Sequence, residues 1–263
     1  MKILATNDDG INAPGLWVNV SELQKIGEVV VIAPEQEQSG RGASITLRQP
    51  IKLSKLESKP AAVEAYSTDG TPADCVILGL RSLFSGEIDL VVSGINRGPN
   101  IGHDTFVSGT VGAALQGYLR GIPSLAISVS GYEDLDFKPA AKLAALLAAK
   151  IKNGDLPKEI LLNVNLPNLP LEKVVGMEIT ELSQQSYCDV VERDLNCEEV
   201  CYRIRRNNKE KDAYYATLGT DVWALQLGRV SITALLNSSS ANSLKARLQS
   251  LAPAICEELH NVV

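Results

Sequence analysis

The sequence predicts an α/β protein with a doubly wound, mostly parallel sheet. Short apolar runs alternate with helical patterns from residue 2 to about residue 165, which is typical of successive βα units. The runs are apolar throughout rather than alternating, as expected for parallel strands that are buried on both faces. Of the 263 residues 45% are hydrophobic, which is enough for a sizeable core.

The predicted elements follow from their residues. Strand 2–5, helix 14–26 and strand 28–33 form a first βαβ unit, and Pro14 suits the first turn of its helix. Strands are further predicted over 62–67, 88–93, 124–129 and 160–164, and helices over 72–86, 111–120 and 139–152. We therefore expect a Rossmann-like core over residues 1–170.

Residues 171–263 break this rhythm and are predicted to form a C-terminal extension used in oligomerisation. A charged stretch over 200–211 indicates an exposed β-hairpin arm, and residues 230–235 a returning strand. One apolar stripe marks a terminal helix: Leu244, Leu248, Leu251, Ile255 and Leu259. Pro253 is expected to kink or split this helix. Because an apolar helix after an arm must cover its own domain or a partner, exchange of C-terminal elements between subunits is one interpretation.

Charge and composition narrow the classes of partner. The 31 acidic residues outnumber the 25 basic ones and give a net charge of -6, which argues against a nucleic-acid polymer as the main partner. Neither a signal-peptide pattern nor an apolar run of membrane-spanning length is visible. Five cysteines without a secretion signal suggest reduced thiols, so we expect a cytoplasmic protein.

Cysteine and histidine chemistry is disfavoured. Cys188, Cys197 and Cys201 fit no usual zinc spacing and have no fourth Cys or His nearby. The only two histidines are His103 and His260, too few for a catalytic histidine pair or a His-rich metal cage. Side chains that carry oxygen are therefore the better candidates.

Adjacent carboxylates, Asp8 and Asp9, directly follow the first predicted strand. They repel each other, and they lie at the carboxyl edge of the sheet, where open α/β sheets bind ligands. A bound cation would neutralise both charges. The structural alternative is that one aspartate caps the following helix and the other is solvated. Asp69 and Asp74, by contrast, are interpreted as turn and cap residues at the start of another helix.

Two further oxygen ligands follow other predicted strands. Ser39 lies in the long polar loop 34–50, and Asn96 follows strand 88–93, so both can reach the same edge of the sheet. Carboxylates, a hydroxyl and an amide carbonyl are hard ligands that suit Mg²⁺, Mn²⁺ or Ca²⁺ rather than structural zinc. For Ser39 taken alone, an ordinary loop serine is the simpler interpretation.

A phosphate site is predicted beside these ligands. Ser108, Gly109 and Thr110 precede helix 111–120, where unpaired N–H groups and the positive end of the helix dipole favour an anion. Asn100 lies in the glycine-rich segment before them. Capping of the helix by Ser108 or Thr110 is compatible with this role.

These residues together predict metal-assisted hydrolysis of a phosphate ester. A divalent ion beside a phosphate site would polarise a phosphoryl oxygen and lower the pKa of a bound water. Asp8 or Asp9 would orient that water or accept its proton.

Several short motifs occur in order along the chain: 6–10 (TNDDG), 13–15 (APG), 39–40 (SG), 44–47 (SITL), 70–75 (GTPADC), 92–100 (VSGINRGPN), 108–111 (SGTV), 219–221 (GTD) and 231–233 (SIT). Together they resemble the stationary-phase survival protein SurE family. The resemblance implies a metal-dependent 5′-nucleotidase acting on nucleoside monophosphates, as a homodimer or homotetramer with exchanged C-terminal elements. The metal ligands that it implies are Asp8, Asp9, Ser39 and Asn96. The phosphate-binding residues that it implies are Asn96, Asn100, Ser108, Gly109 and Thr110.

Two other interpretations remain open from the sequence. An aspartyl-phosphate phosphatase of haloacid-dehalogenase type also places an aspartate after its first strand, but it expects Asp-x-Asp rather than adjacent Asp8 and Asp9. A non-catalytic nucleotide-binding or assembly module would keep the site without turnover.

Overall fold

Residues 1–57, 63–184, 188–194, 200–207, 216–235 and 241–261 are described by the computed structural model. Six strands form the parallel centre of one sheet. In spatial order they are β4 (Glu64–Thr68), β2 (Glu28–Pro34), β1 (Lys2–Thr6), β5 (Leu90–Arg97), β6 (Ser124–Ser130) and β7 (Leu161–Pro167). The order runs outward from β1 in both directions, so the predicted doubly wound, Rossmann-like α/β fold is confirmed.

Three more strands extend the sheet at its edges. β3 (Leu53–Lys55) lies antiparallel to β4 at one edge. At the other edge β11 (Val230–Ala234) lies antiparallel to β7, and β8 (Met177–Thr180) lies parallel to β11. The sheet thus contains strands from both sides of residue 170, and the division of the chain into a core and an extension stays a prediction.

Helices cover both faces of the sheet. They are α1 (Pro14–Leu23), α2 (Pro72–Leu78), α3 (Gly109–Tyr118), α4 (Lys138–Lys152), α5 (Asp221–Gln226) and α6 (Ala241–His260). On one face α4 packs between α1 and α6, over a core that Ile3 of β1 enters. On the other face α2 packs against α3, over a second core that Leu4 enters. Burial of successive β1 residues on opposite faces explains why the run is apolar throughout.

The C-terminal extension contains the predicted hairpin arm. β9 (Cys188–Asp194) pairs antiparallel with β10 (Cys201–Asn207). Val191, Tyr202 and Ile204 are exposed on this hairpin. Two residues of the predicted basic stretch lie outside the described part of the chain: Lys209 and Lys211.

The predicted terminal helix is present as α6, and it continues through Pro253 without being split. Leu248 precedes the proline, Ile255 and Leu259 follow it, and all three side chains are buried in the core beneath α4 and α6. Tertiary packing on both sides of the proline therefore outweighs the backbone hydrogen bond that proline cannot make.

The cysteines correct one expectation. Cys75 and Cys256 are free thiols, but Cys201 is disulfide-bonded. The expectation of uniformly reduced thiols is therefore wrong, because pairing depends on which sulfurs the fold brings together rather than on their number.

A cytoplasmic location stays a prediction. Among the described residues no helix combines the length and hydropathy needed to cross a bilayer.

Candidate active site

β1 delivers the adjacent aspartates to the edge of the sheet, between β2 and β5. The strand ends at Thr6, and Asn7 closes the following turn by donating its Nδ2–H to the Gly10 carbonyl at 2.9 Å. Asp8 is only 3% exposed, and Asp9 is partly buried. Both carboxylates therefore follow the first strand where the sequence predicts them.

The N-terminus of α3 lies directly against Asp8. Thr110 donates its hydroxyl hydrogen to Asp8 Oδ1 at 2.5 Å. A Cβ atom on Gly109 would lie 2.9 Å from Asp8 Oδ2, so only glycine leaves this approach open. Ser108 caps the helix by accepting the Val111 N–H at 3.2 Å. One of the predicted metal ligands and the predicted phosphate-binding turn are thus in contact.

A bulge in β5 brings Asn96 to the same edge of the sheet. The register of β5 against β6 shifts between Ser93 and Asn96. Gly94 lies in this bulge with a φ of +126°, and a Cβ atom there would lie 2.3 Å from the Ile127 carbonyl oxygen. Asn96 donates its Nδ2–H to the Gly98 carbonyl at 2.7 Å, which leaves Oδ1 as the atom available to a cation.

The loop after β2 brings Ser39 beside β1. The Gln38 N–H donates to the Asp8 carbonyl at 2.7 Å, so Ser39 follows at the same edge. Ser39 donates its hydroxyl hydrogen to Glu37 Oε1 at 2.9 Å. Glu37, which the sequence patterns did not single out, also forms an ion pair with Arg97 at 3.8 Å between Oε2 and Nη2.

Burial outweighs hydrogen bonding at the two carboxylates. Asp8 accepts the hydroxyl and the backbone N–H of Thr110 and its own N–H, and Asp9 Oδ2 accepts the Arg97 N–H at 3.2 Å. Burial raises the pKa of Asp8. The pKa of Asp9 rises to about 6, mainly through burial and next through the charge of Asp8. A bound cation would favour the charged form of both groups.

The donor set fits a hard divalent cation. It offers two carboxylates, one hydroxyl and one amide oxygen, from Asp8, Asp9, Ser39 and Asn96. No group of three His, Cys, Asp or Glu side chains that could hold a metal occurs in the part of the chain that the structure describes. A site at this edge therefore needs the hydroxyl and the amide in addition to the two carboxylates.

Asn100 lies between β5 and α3 and is largely buried. Its Nδ2–H donates to Ser128 Oγ at 2.9 Å, and its backbone is bonded to Asn163 and Asn165 of β7. Asp221 holds the same segment two residues further on. The sequence patterns missed Asn163 and Asn165, and they included Asp221 in the motif 219–221 without giving it a role. The available signal was a pair of alternating asparagines in an otherwise apolar strand.

Fold and site together define a class of protein. It is a Rossmann-like α/β protein with a set of hard oxygen ligands and a helix N-terminus at the carboxyl edge of its sheet. This arrangement suits a divalent cation and a phosphate group bound side by side.

Comparisons with known proteins identify the family. A model of the family described as Survival protein SurE matches residues 3–189. The 5′-nucleotidase SurE of Dehalococcoides mccartyi strain CBDB1 is 44% identical over 243 residues, which cover 89% of this chain and 88% of that protein. The 5′-nucleotidase SurE of Legionella pneumophila strain Corby is 39% identical over 259 residues, which cover 98% of this chain and 100% of that protein. This chain belongs to the survival protein SurE family, as its motifs predicted.

A solved structure supports the same assignment. The crystal structure of the SurE protein from Aquifex aeolicus superimposes with a TM-score of 0.75 at 37% sequence identity. The match covers 94% of this chain and 99% of that chain, so the similarity includes the C-terminal extension as well as the parallel sheet.

Proposed function

We propose that this protein is a metal-dependent 5′-nucleotidase that hydrolyses nucleoside 5′-monophosphates to nucleoside and phosphate. Its relatives carry the name 5′-nucleotidase SurE at 39–44% identity over most of the chain. The observation that carries the proposal is the contact between Asp8 and Thr110. It sets a buried carboxylate beside a helix N-terminus that can bind phosphate.

We assign one divalent ion to the oxygen ligands at this edge of the sheet. Mg²⁺ or Mn²⁺ is the expected ion, and Ca²⁺ can occupy the same ligands. The assigned ligands are Asp8, Asp9, Ser39 and Asn96. When bound, the ion supplies positive charge to the phosphoryl oxygens and lowers the pKa of a bound water.

The phosphate group is assigned to the N-terminus of α3. Helix geometry leaves the N–H groups of Gly109 and Thr110 without intrahelical acceptors. The Val111 N–H is already bonded to Ser108 Oγ at 3.2 Å. The Thr110 N–H bonds to the Asp8 carboxylate. Phosphoryl oxygens therefore accept the Gly109 N–H and gain from the positive end of the helix dipole. The side chains assigned to the same phosphate are Asn96, Asn100 and Ser108.

Asp9 is the better placed of the two carboxylates to act as general base. Asp8 is almost fully buried and bonded to Thr110, whereas Asp9 is partly exposed to solvent. Asp9 therefore orients the attacking water and accepts its proton at a carboxylate oxygen, while Asp8 holds the ion. The water oxygen forms a bond to phosphorus as the bond from phosphorus to the nucleoside 5′ oxygen breaks. The leaving 5′ oxygen takes up a proton from solvent, so the nucleoside leaves with a hydroxyl group and phosphate remains.

The hairpin arm supports a homodimer or homotetramer with exchanged C-terminal elements. Val191, Tyr202 and Ile204 expose 63%, 65% and 71% of their surface on β9 and β10, and exposed apolar groups of this kind mark protein contacts. We expect the wild type to be dimeric or tetrameric in size-exclusion chromatography with light scattering. The Tyr202→Ser, Ile204→Ser double variant should shift to smaller species, and a monomeric wild type would contradict the proposal.

The test of catalysis is phosphate release from nucleoside 5′- and 3′-monophosphates with Mg²⁺, Mn²⁺ or EDTA. We expect release from the 5′-monophosphates that requires the metal. Asp9→Asn should lower this rate by about 10²–10⁴-fold, the usual contribution of a general base. Asp69→Asn is the matched control, because Asp69 lies in an exposed turn, where it accepts the Lys52 N–H at 2.8 Å.

Each failure of this test has a different meaning. If metal and nucleotide bind but no phosphate is released, the chain is a binding module rather than a hydrolase. If an acid-quenched reaction contains a phosphorylated aspartate, the mechanism is that of an aspartyl-phosphate phosphatase instead.

A further inference from the structure

The backbone of Asn100 is bonded to two side chains of β7. The Asn100 N–H donates to Asn165 Oδ1 at 2.8 Å, and Asn165 Nδ2–H returns a bond to the Asn100 carbonyl at 3.0 Å. Asn163 Nδ2–H donates to the same carbonyl at 2.8 Å. The N–H and carbonyl groups of Asn100 are thus both hydrogen-bonded, as they would be in a sheet. Here the partners are the side chains of Asn163 and Asn165 rather than the backbone of a neighbouring strand.

A second anchor acts two residues later. The Gly102 N–H donates to Asp221 Oδ2 at 2.8 Å. The other oxygen of this carboxylate, Oδ1, accepts the N–H groups of Ser183 at 2.9 Å and Val222 at 2.8 Å. Asp221 therefore joins the segment before α3 to the start of α5 and to the chain beyond β8.

These anchors have no evident purpose in packing alone. Asn163 and Asn165 are 0% exposed and share one face of an otherwise apolar strand. A buried amide is unfavourable unless its hydrogen bonds are made, and a leucine or valine would fill the strand without that requirement. Oδ1 of Asn163 lacks a hydrogen-bond partner among the described residues. The only described hydrogen bond of the Asn163 side chain is therefore the one to the Asn100 carbonyl.

We infer that Asn163, Asn165 and Asp221 are positioning residues, which hold the segment 100–102 so that Asn100 and the N-terminus of α3 stay aligned with Asp8. The inference rests on the proposed function, because that proposal assigns Asn100 and the α3 N-terminus to the phosphate. The expected effect is large, since misplacement of a binding group by about 1 Å can lower a rate by about 10²-fold.

Two substitutions each break one anchor and keep most of the surrounding contacts. Asp221→Asn can retain Oδ1 as acceptor for Ser183 and Val222, but it turns an NH₂ group toward the Gly102 N–H. Asn165→Asp keeps an acceptor for the Asn100 N–H and loses the donor to the Asn100 carbonyl. Asn163→Ala is the mildest variant, because it removes a single described hydrogen bond.

The matched control is Thr233→Val. Thr233 is buried on β11 opposite Asn163 and bonds to Thr180 Oγ1 at 2.8 Å, but no described bond joins it to the segment 100–102. Its variant loses a buried hydrogen bond, as the anchor variants do, without touching the segment.

The measurements are KM for a nucleoside 5′-monophosphate, the inhibition constant of inorganic phosphate, the activation constant of Mn²⁺, and the melting temperature. In the anchor variants KM and the phosphate constant should rise together by about 10–100-fold, the usual effect of residues that orient ligands. The Mn²⁺ constant should change far less. In Thr233→Val only the melting temperature should fall.

The outcomes separate this inference from the proposed function. If the wild type hydrolyses nucleotides but the anchor variants change only in melting temperature, the inference is wrong and the function stands. If the wild type releases no phosphate, the function fails, and titration of inorganic phosphate followed by ³¹P NMR decides the inference. Weaker phosphate binding by the variants than by the wild type supports it, and equal or absent binding overturns it.

Discussion

Asp221 and the Asp8–Asp9 pair are two regions where the fold buries carboxylates, and they differ in what surrounds the charge. Burial raises the pKa of all three groups. Asp221 accepts three backbone N–H groups at 2.8–2.9 Å, which oppose that effect. Asp8 accepts hydrogen bonds from the hydroxyl and the backbone N–H of Thr110 and from its own N–H. The adjacent Asp9 repels it and accepts the Arg97 N–H at 3.2 Å.

The difference shows that burial by itself does not identify a functional carboxylate. The hydrogen-bonding capacity of the Asp221 carboxylate is satisfied by backbone N–H groups, so Asp221 needs no bound cation. The Asp8–Asp9 pair combines mutual repulsion with burial, and a cation is the group that balances both. Replacing a carboxylate by an amide should therefore stabilise the metal-free protein at the Asp8–Asp9 pair. The same replacement should destabilise the protein where fixed donors surround the carboxylate.

The largest expected effect is that of Asp8→Asn. We expect kcat/KM to fall by about 10³-fold or more, because a charge that holds the ion is lost. In EDTA, however, the variant should melt at a higher temperature than the wild type. The amide oxygen still accepts the Thr110 hydroxyl, and the cost of burying the charge disappears. Steady-state kinetics with Mn²⁺ and thermal unfolding with EDTA measure the two effects.

Asp74→Asn is the matched control for this prediction. Asp74 is equally buried, but it accepts the N–H groups of Thr71 and Thr46 at 2.9 Å and the Thr46 hydroxyl at 2.7 Å. This variant should lose about 1 kcal/mol of stability, the usual value for a cap, and keep its kcat. If Asp8→Asn also destabilises the metal-free protein, the contrast between the two regions is wrong.

Gly109→Ala tests the close approach of α3 to Asp8. The added methyl group would lie 2.9 Å from Asp8 Oδ2 and must displace that carboxylate. We expect the Mn²⁺ activation constant and kcat/KM to worsen by about 10–100-fold. Leu119→Ala, at the exposed far end of the same helix, should leave both constants unchanged. Wild-type metal activation in Gly109→Ala would show that Asp8 is not a ligand.

Thr110→Val tests the single hydroxyl that orients Asp8. Valine keeps the shape of threonine and removes the bond to Oδ1. We expect metal affinity and kcat/KM to fall by about 10-fold, at the lower end of the range for residues that orient ligands. Thr110→Ser should restore both, because serine carries the same donor. Equal loss in the valine and serine variants would point to packing rather than to the hydrogen bond.

Local signals in the sequence account for what could be predicted. Asp74 was identified as a cap because it follows Thr71 by three residues at the start of a helical pattern, and the structure confirms this capping box. Asp8 and Asp9 were identified because they follow a strand whose apolar run is continuous. Asn165 and Asp221 bond to residues 65 and 119 positions away, so no pattern within their own segments reveals the partner. Anchors of this kind depend on the order of strands in the sheet, which local periodicity does not fix.

The smallest expected effect is a pH dependence of stabilisation by metal. The pKa of Asp9 is raised from 3.8 to about 6 in the folded chain without a metal. Between these values the folded state binds more protons than the unfolded state, so the free energy of unfolding in EDTA falls as the pH rises. The ion binds the ionised carboxylates, so it offsets the fall in the free energy of unfolding that ionisation causes. The increase in melting temperature on adding Mn²⁺ should therefore be larger at pH 7 than at pH 5, by about 5 °C.

Asp9→Asn provides the comparison that assigns this dependence. Without the Asp9 carboxylate, the shift caused by Mn²⁺ should be smaller and should change less between pH 5 and pH 7, since Asp8 is then the one remaining carboxylate of the pair. Differential scanning fluorimetry at matched ionic strength measures the melting temperature of each protein in EDTA and in Mn²⁺, at pH 5 and at pH 7. If the wild type gains more from Mn²⁺ at pH 5 than at pH 7, the charge of the Asp8–Asp9 pair is not what the ion balances.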